Sequence, residues 1–134
     1  REEKGYTYGI SAGIMFYPDS GLLAISTETD NEYVEPLIQE VYHEIDRLHQ
    51  EPVSAEELTI VRNYMLGEMC RSYESPFSLS DAWIFIATSG LDDDYFSRSL
   101  LAVNEVTPME IQDLAQRYLC KETLKEVIAG KKLS

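Results

Sequence analysis

Apolar and polar positions alternate near the start of the chain. Over residues 6–17 aromatic and aliphatic side chains fall at every second position, and a similar alternation follows over residues 22–29. A period of two with aromatic and β-branched residues is typical of strands. The segment between them, Pro18-Asp-Ser-Gly21, has turn composition. Residues 6–29 are therefore predicted to form an antiparallel hairpin, and strict alternation places Tyr6, Tyr8 and Ile10 on one face, with Thr7, Gly9 and Ser11 on the other.

After residue 30 the apolar residues recur every three or four positions, which is the spacing of amphipathic helices. A first helix is predicted from near Tyr33 to just before Pro52, because proline cannot continue a helix. The inward stripe of this helix is Val34, Leu37, Ile38, Val41, Tyr42, Ile45 and Leu48. A second helix is predicted to direct Leu58, Val61, Met65 and Met69 inward.

Helix boundaries are marked by residues that cap exposed backbone groups. Serine or threonine at an N-cap, with glutamate three positions later, satisfies two free N–H groups, and glycine ends helices in a left-handed conformation. The candidate signals are Ser54 with Glu57, Ser75 with Pro76, Gly90, Asp92-Asp-Asp94, and Thr107 with Glu110. Together they predict helices over residues 33–118, followed by a last strand over residues 124–129.

Segregated strands and helices predict an α+β fold, an antiparallel sheet with helices packed on one face. The length of 134 residues fits one domain. The net charge of -13 argues against nucleic acid or an anionic membrane surface as a partner, because their phosphates would be repelled. No segment is long and apolar enough to span a membrane.

The helix with two histidines is the most obvious place to look for a metal site. His43 and His49 are six residues apart, which on a regular helix separates their directions by about 120°. Zinc peptidase helices place histidines four apart on one face, or in the inverted order His-x-x-Glu-His, and neither pattern is present. No metal ligands are therefore predicted in this chain. Cys70 and Cys120 indicate a reducing compartment or no particular chemistry, and a disulfide between them stays open.

The opening residues are the part of the sequence that capping and strand propensity do not explain. They read Arg1-Glu-Glu-Lys-Gly-Tyr-Thr-Tyr8-Gly-Ile-Ser-Ala12, which places a guanidinium seven residues before a phenol. A helix end capped by Gly5 and followed by a strand would account for the shape of this segment. It would not account for the order of its residues.

That opening resembles the signature of the C-terminal, non-zinc domain of the pitrilysin/insulinase family of metallopeptidases. Further similarities are Pro52-Val-Ser-Ala-Glu-Glu-Leu58, Tyr73-Glu-Ser75, Val106-Thr-Pro108 and Val127-Ile-Ala-Gly130. The family includes bacterial processing proteases, the mitochondrial processing peptidase and the core subunits of respiratory complex III. The resemblance implies a fold like that of the processing peptidase.

The resemblance also implies a function and site residues. In such peptidases zinc is bound by another domain, and the non-zinc domain contributes an arginine and a tyrosine to the substrate. Arg1 and Tyr8 match that pair in type and spacing. Tyr8 would donate a hydrogen bond to the scissile carbonyl in the transition state, and Arg1 would hold the substrate. The implied partners are an N-terminal zinc-binding domain or partner chain and a peptide.

The chain lacks the zinc motif and the leading part of a full family domain, and it does not begin with Met. We therefore expect a single partial domain, part of a longer protein, that is inactive alone, able to self-associate and cytoplasmic. Two alternatives remain: a non-catalytic structural relative of the same family, or an unrelated acidic α+β interaction module.

Overall fold

The computed structural model describes residues 4–17 and 19–131. Within these residues two antiparallel strands are followed by five α-helices, so the predicted α+β class is confirmed. The elements are β1 (Thr7–Tyr17), β2 (Ser20–Thr29), a 3₁₀ turn (Asn31–Tyr33), α1 (Val34–Gln50), α2 (Ala55–Arg71), α3 (Pro76–Ser89), α4 (Tyr95–Glu105), α5 (Pro108–Tyr118) and a second 3₁₀ turn (Lys121–Thr123).

The chain divides into two compact units. Unit 1 comprises residues 1–47 and 117–134, and contains the hairpin and most of α1. Unit 2 comprises residues 48–116, and contains α2, α3, α4 and most of α5. That the two units form one partial domain, with helices on one sheet face, stays a prediction.

The hairpin forms at the predicted place. From Ile10 to Tyr17 the residues of β1 pair regularly with residues from Thr27 back to Ser20. Because paired residues share a face of the sheet, the alternation predicted for this part of the hairpin is confirmed. The apolar residues of the more apolar face are Ile10, Ala12, Ile14, Phe16, Leu23 and Ile25.

At the base of the hairpin the predicted alternation is wrong. Thr7 pairs with Thr29 and Ile10 with Thr27, so three steps along β1 match two along β2. One extra residue in β1 is a β-bulge. The bulge puts Thr7 on the face of Ile10, whereas strict alternation placed it on the opposite face. An isolated glycine in a strand, here Gly9, is the sequence signal for such a bulge.

The apolar stripe of α1 is confirmed. Leu37 and Ile45 are buried, and the other five residues of the stripe are half-buried. Pro36 lies in the first turn, where its missing N–H breaks no helical hydrogen bond.

The inward face of α2 differs in part from the prediction. Leu58 is buried and Met69 is half-buried, but Val61 and Met65 are exposed and Arg62 is half-buried instead. The guanidinium of Arg62 donates hydrogen bonds to the carbonyl oxygens of Val103 (3.1 Å) and Val106. These carbonyls lie at the C-terminal end of α4, where no further helical turn supplies N–H groups to donate to them. Arg62, a charged donor, therefore lies on the inward face of α2, where helical periodicity alone predicts apolar residues.

The predicted caps are largely confirmed. Ser54 accepts from the N–H of Glu57 (3.1 Å), and Thr107 and Glu110 bond reciprocally. Gly90 ends α3 in a left-handed conformation with φ of 64°. Asp94 precedes α4 without a side-chain cap bond; its carboxylate lies 3.5 Å from the Arg98 guanidinium instead.

The predicted last strand over residues 124–129 is wrong: the structure has no strand there. A strand needs a neighbour with free ladder hydrogen bonds, but the backbone hydrogen bond described at this segment is local, from the N–H of Leu124 to the carbonyl of Lys121 (3.2 Å). Tyr42 of α1 donates to the Glu126 carboxylate (2.8 Å), and the Asn31 amide donates to the carbonyl of Lys131 (3.0 Å). The segment is tied down through these contacts.

Candidate functional site

Tyr8 lies in the bulge of β1 and its side chain is 100% exposed. Together, Tyr8 and Gly9 face the single residue Glu28 of β2. Bulges commonly reorient a side chain next to a functional site. Tyr8 is thus held on a strand and is open to a ligand.

Hydroxyl groups satisfy the backbone at the bulge. The Thr7 hydroxyl lies 2.8 Å from that of Thr27 and within hydrogen-bonding distance of the carbonyls of Gly9 (2.8 Å) and Glu28 (2.7 Å). It also accepts from the N–H of Gly9 (3.1 Å), while the Thr27 hydroxyl reaches the same Gly9 carbonyl (2.8 Å). These bonds replace the ladder interactions that the extra residue disrupts, and they fix the backbone on either side of Tyr8.

The segment before Tyr8 is attached to the start of the helical region of unit 1. The rings of Tyr6 and Tyr33 stack with centroids 5.3 Å apart, and the hydroxyl of Thr29 donates to the carbonyl of Tyr6 (2.6 Å). Lys4 pairs with Glu40 of α1, and this hydrogen-bonded ion pair lowers the pKa of the Glu40 carboxyl. These contacts therefore fix the backbone that precedes the bulge.

A shallow cavity of about 420 Å³ adjoins Tyr8. Ser11, Ser26 and Glu28 contribute polar side chains to its wall, and the hydroxyls of the two serines lie 3.1 Å apart. The surface beside the phenol is therefore polar and can hydrogen-bond to a peptide backbone.

The other predicted site residue, Arg1, lies outside the described residues. The predicted proximity of Arg1 and Tyr8 therefore stays a prediction. Sequence reasoning missed Thr7 and Thr27, whose hydroxyls hydrogen-bond to the backbone of the bulge. The bulge brings these two hydroxyls together although the residues are twenty positions apart in sequence.

The histidines have separate surroundings. His43 is exposed, whereas the half-buried His49 lies with its Nε2 atom 3.1 Å from the carbonyl oxygen of Ala115. The amides of Gln112 (2.9 Å) and Gln116 (2.8 Å) donate to the carbonyl of His49, so this residue joins the end of α1 to α5. Within residues 4–17 and 19–131 no group of three or more His, Cys, Asp or Glu residues could hold a metal ion.

Cys70 is exposed and Cys120 is half-buried, and they form no disulfide with each other. The Cys120 thiol lies 3.6 Å from the carbonyl of Arg117. None of the described helices has the length and hydropathy needed to cross a membrane.

Residues 1–65 match a family described as the Peptidase M16 inactive domain. No significant match to the chain is found among curated proteins. Domains of this family are the non-catalytic part of a peptidase-family protein and typically pair with an N-terminal partner domain. The matched segment includes the whole hairpin, the Tyr8 bulge and α1. Residues 1–65, just under half of the chain, are therefore similar to the Peptidase M16 inactive domain family, as the opening signature predicted.

Proposed function

We propose that this chain is the substrate-binding, non-zinc half of a zinc-dependent endopeptidase. The observation that carries the proposal is the fully exposed Tyr8 on a bulge braced by hydroxyls, within the residues that match the peptidase family. A tyrosine whose only task was to stabilise the sheet would pack against a neighbour, as Tyr6 does against Tyr33.

The proposed role of Tyr8 is to donate a hydrogen bond to the carbonyl oxygen of the scissile peptide. Negative charge develops on that oxygen as the carbonyl is attacked, so a donor already in place stabilises the transition state more than the substrate. A phenol suits this role because it stays protonated at neutral pH. The braced backbone keeps the donor oriented before substrate binds.

Arg1 is proposed to hold the peptide through its backbone or a carboxylate. A guanidinium presents several fixed donors and can bind a carboxylate with two parallel hydrogen bonds. This role rests on the match of Arg1 and Tyr8 in type and spacing to the family pair.

Zinc is proposed to be bound by an N-terminal domain or a partner chain. The described residues do not fit a zinc site, since His43 and His49 lie in different surroundings and no third ligand joins either of them. In this proposal the partner supplies the metal chemistry, and this chain binds and orients the peptide. The full protein is proposed to be cytoplasmic.

The test is Tyr8→Phe in the full-length protein with its zinc-binding partner. Loss of one oxyanion donor should lower kcat by roughly 10²- to 10³-fold while the zinc content stays constant. Tyr17→Phe is the matched control, because Tyr17 is an exposed tyrosine of the same strand, at the far end of the hairpin. Its kcat should equal that of the unmodified protein.

Equal kcat values for Tyr8→Phe and Tyr17→Phe would remove Tyr8 from catalysis and favour the structural relative. Chelator-sensitive cleavage by the purified 134-residue chain would also contradict the proposal, since the chain is expected to be inactive without its partner.

Self-association through the apolar face of the hairpin is part of the proposal. Ile14 and Phe16 on that face are 60% and 63% exposed, so pairing two copies would remove apolar surface from water. Sedimentation at micromolar concentration should show a dimer that Ile14→Lys disrupts. Met15→Lys, on the opposite face, is the control. A monomer at all concentrations would contradict self-association.

A further inference from the structure

Unit 2 contains a cavity of about 460 Å³ between α2, α3 and α4. Its wall combines four aromatic side chains with one carboxylate. The aromatic residues are Tyr73, Phe85, Tyr95 and Phe96, and the carboxylate is that of Asp81.

The four rings form a connected group. Tyr73 and Phe96 have centroids 4.9 Å apart, Tyr95 and Phe96 are 5.6 Å apart, and Phe85 and Tyr95 are 5.8 Å apart. The planes of these pairs are inclined by 56° to 70°, so the rings form walls at an angle to one another. A cation interacts with a ring within about 6 Å of its centroid. Neighbouring rings are therefore close enough for one cation to contact two of them.

The serine hydroxyls of the cavity wall are already engaged with the helix backbone. Ser72 donates to the carbonyl of Glu68 (3.0 Å) and Ser99 to that of Tyr95 (2.8 Å). Ser78 is held in the cap of α3 by Ser75. Tyr73 is half-buried, and burial raises the pKa of its phenol. Asp81 is left as the charged group of the wall.

No basic residue of unit 2 neutralises Asp81. Unit 2 has three arginines and no lysine. Arg62 is bound to carbonyls of α4, Arg71 to Glu68, and Arg98 lies near Asp92 and Asp94. Asp81 itself has no hydrogen bond or ion pair within the described part of the chain.

The charge of unit 2 also favours a cationic ligand. Residues 48–116 contain twelve Asp and Glu against three Arg, a net charge of -9, out of -13 for the whole chain. A surface of one sign raises the local concentration of the opposite charge. Calcium or magnesium would need several oxygen ligands, whereas this wall offers one carboxylate and aromatic faces.

We propose that this cavity binds an organic ammonium group, with Asp81 opposite the charge and the aromatic rings around its alkyl part. Two sources share this chemistry: the lysine side chain of a peptide and a free quaternary amine. The site lies in unit 2 and does not depend on the function proposed for Tyr8.

Chemical-shift titration of the isotopically labelled 134-residue chain tests the proposal. The probes are N-acetyl-lysine methylamide, choline and the uncharged N-acetyl-norleucine methylamide. The two cations should shift the resonances of Asp81, Phe85 and Phe96 in a saturable way. Norleucine should bind on the order of tenfold more weakly than the lysine compound, because it lacks the charge. Tighter binding of lysine than of choline would identify a peptide as the source, and the reverse order would identify a free amine.

Variants locate the site. Asp81→Asn should weaken binding of both cations on the order of tenfold and leave norleucine unchanged. Asp93→Asn removes the same charge from an exposed position outside the cavity and should change little. Phe96→Leu, with its fold checked by circular dichroism, should weaken choline binding, whereas Phe77→Leu should not, because Phe77 is 83% exposed and outside the cavity wall.

Three results would overturn the proposal. One is equal affinity for lysine and norleucine, which would show a merely apolar cavity. Another is no saturable shift with either cation. The third is an equal loss of affinity in Asp81→Asn and Asp93→Asn, which would show only a general attraction to an acidic protein.

Discussion

The hairpin and unit 2 are held in shape by different kinds of hydrogen bond. At the base of the hairpin, Thr7 and Thr27 join backbone segments twenty residues apart. In unit 2 most caps join residues three positions apart, such as Thr107 with Glu110. Exceptions in unit 2 are Arg62, which reaches α4 from a position 41 residues earlier, and the amides of Gln112 and Gln116, which donate to the carbonyl of His49. The comparison teaches that long-range polar bonds mark the places where local sequence patterns stop determining the structure.

The largest expected effect is at Arg62. Arg62→Met keeps an unbranched side chain but removes two charge-assisted bonds to the end of α4. We expect the free energy of unfolding to fall by about 2–3 kcal/mol, because half-buried carbonyls would lose a charged donor. Urea unfolding followed by circular dichroism measures this loss.

The control is Arg71→Met, which removes an exposed pair with Glu68, three positions away on the same helix. Such surface pairs contribute at most about 0.5 kcal/mol. Equal losses in the two variants would remove the distinction between long-range and local bonds within unit 2.

An intermediate effect is expected at the hairpin. Thr7→Val preserves the β-branched shape but removes the hydroxyl that bonds to Gly9, Glu28 and Thr27. We expect a loss of about 1 kcal/mol in unfolding free energy, and increased amide hydrogen exchange at Gly9. Thr7→Ser retains the hydroxyl and should retain most of the protection. If Thr7→Val exchanged no faster than Thr7→Ser, the hydroxyl network would not brace the bulge.

The smallest effect is expected at a local cap. The hydroxyl and N–H of Thr107 hydrogen-bond to the Glu110 carboxylate and lower its pKa. The carboxylate therefore stabilises the folded state above the ordinary pKa of glutamate. That stabilisation is lost as the pH falls through the lowered pKa of the folded state.

Carboxyl chemical shifts measured against pH should show the lowered pKa of Glu110. Thr107→Ala should raise it toward its usual value, because the side-chain hydrogen bond is the largest cause of the shift. If the pKa of Glu110 were unchanged in Thr107→Ala, the hydroxyl of Thr107 would not be the cause of its lowering.

The sequence predicted the parts of the fold that depend on neighbouring residues. The stripe of α1, the cap at Ser54 and the glycine that ends α3 follow from spacing and backbone preference. The inward position of Arg62 could not be predicted, because it depends on carbonyls of α4 that are distant in sequence. The wrong prediction of a strand over residues 124–129 has a similar cause. These residues favour extended structure, but a strand also needs a neighbouring strand to pair with, and local sequence does not show whether one is present.

The candidate site was predicted in part. The opening signature indicated Tyr8, and the structure adds its exposure and its position in a bulge. The brace of Thr7 and Thr27 requires knowledge of the strand register, which alternation alone assigned wrongly at this point. The aromatic wall of unit 2 draws on α3, α4 and the turn after α2, so no single stretch of sequence indicates it.

The extra residue in β1 bears on how the length of this strand can change in evolution. Deleting one residue between Ile10 and Tyr17 would exchange the two faces of the sheet over part of the hairpin. Deleting Gly9 would instead remove the surplus residue. All the pairs now formed between Thr7 and Tyr17 and residues of β2 could then be kept. The strand can therefore be shortened without disturbing its pairing at the bulge, which is also the feature that exposes Tyr8. A hairpin shortened there could fold correctly and still lose the presentation of its exposed phenol.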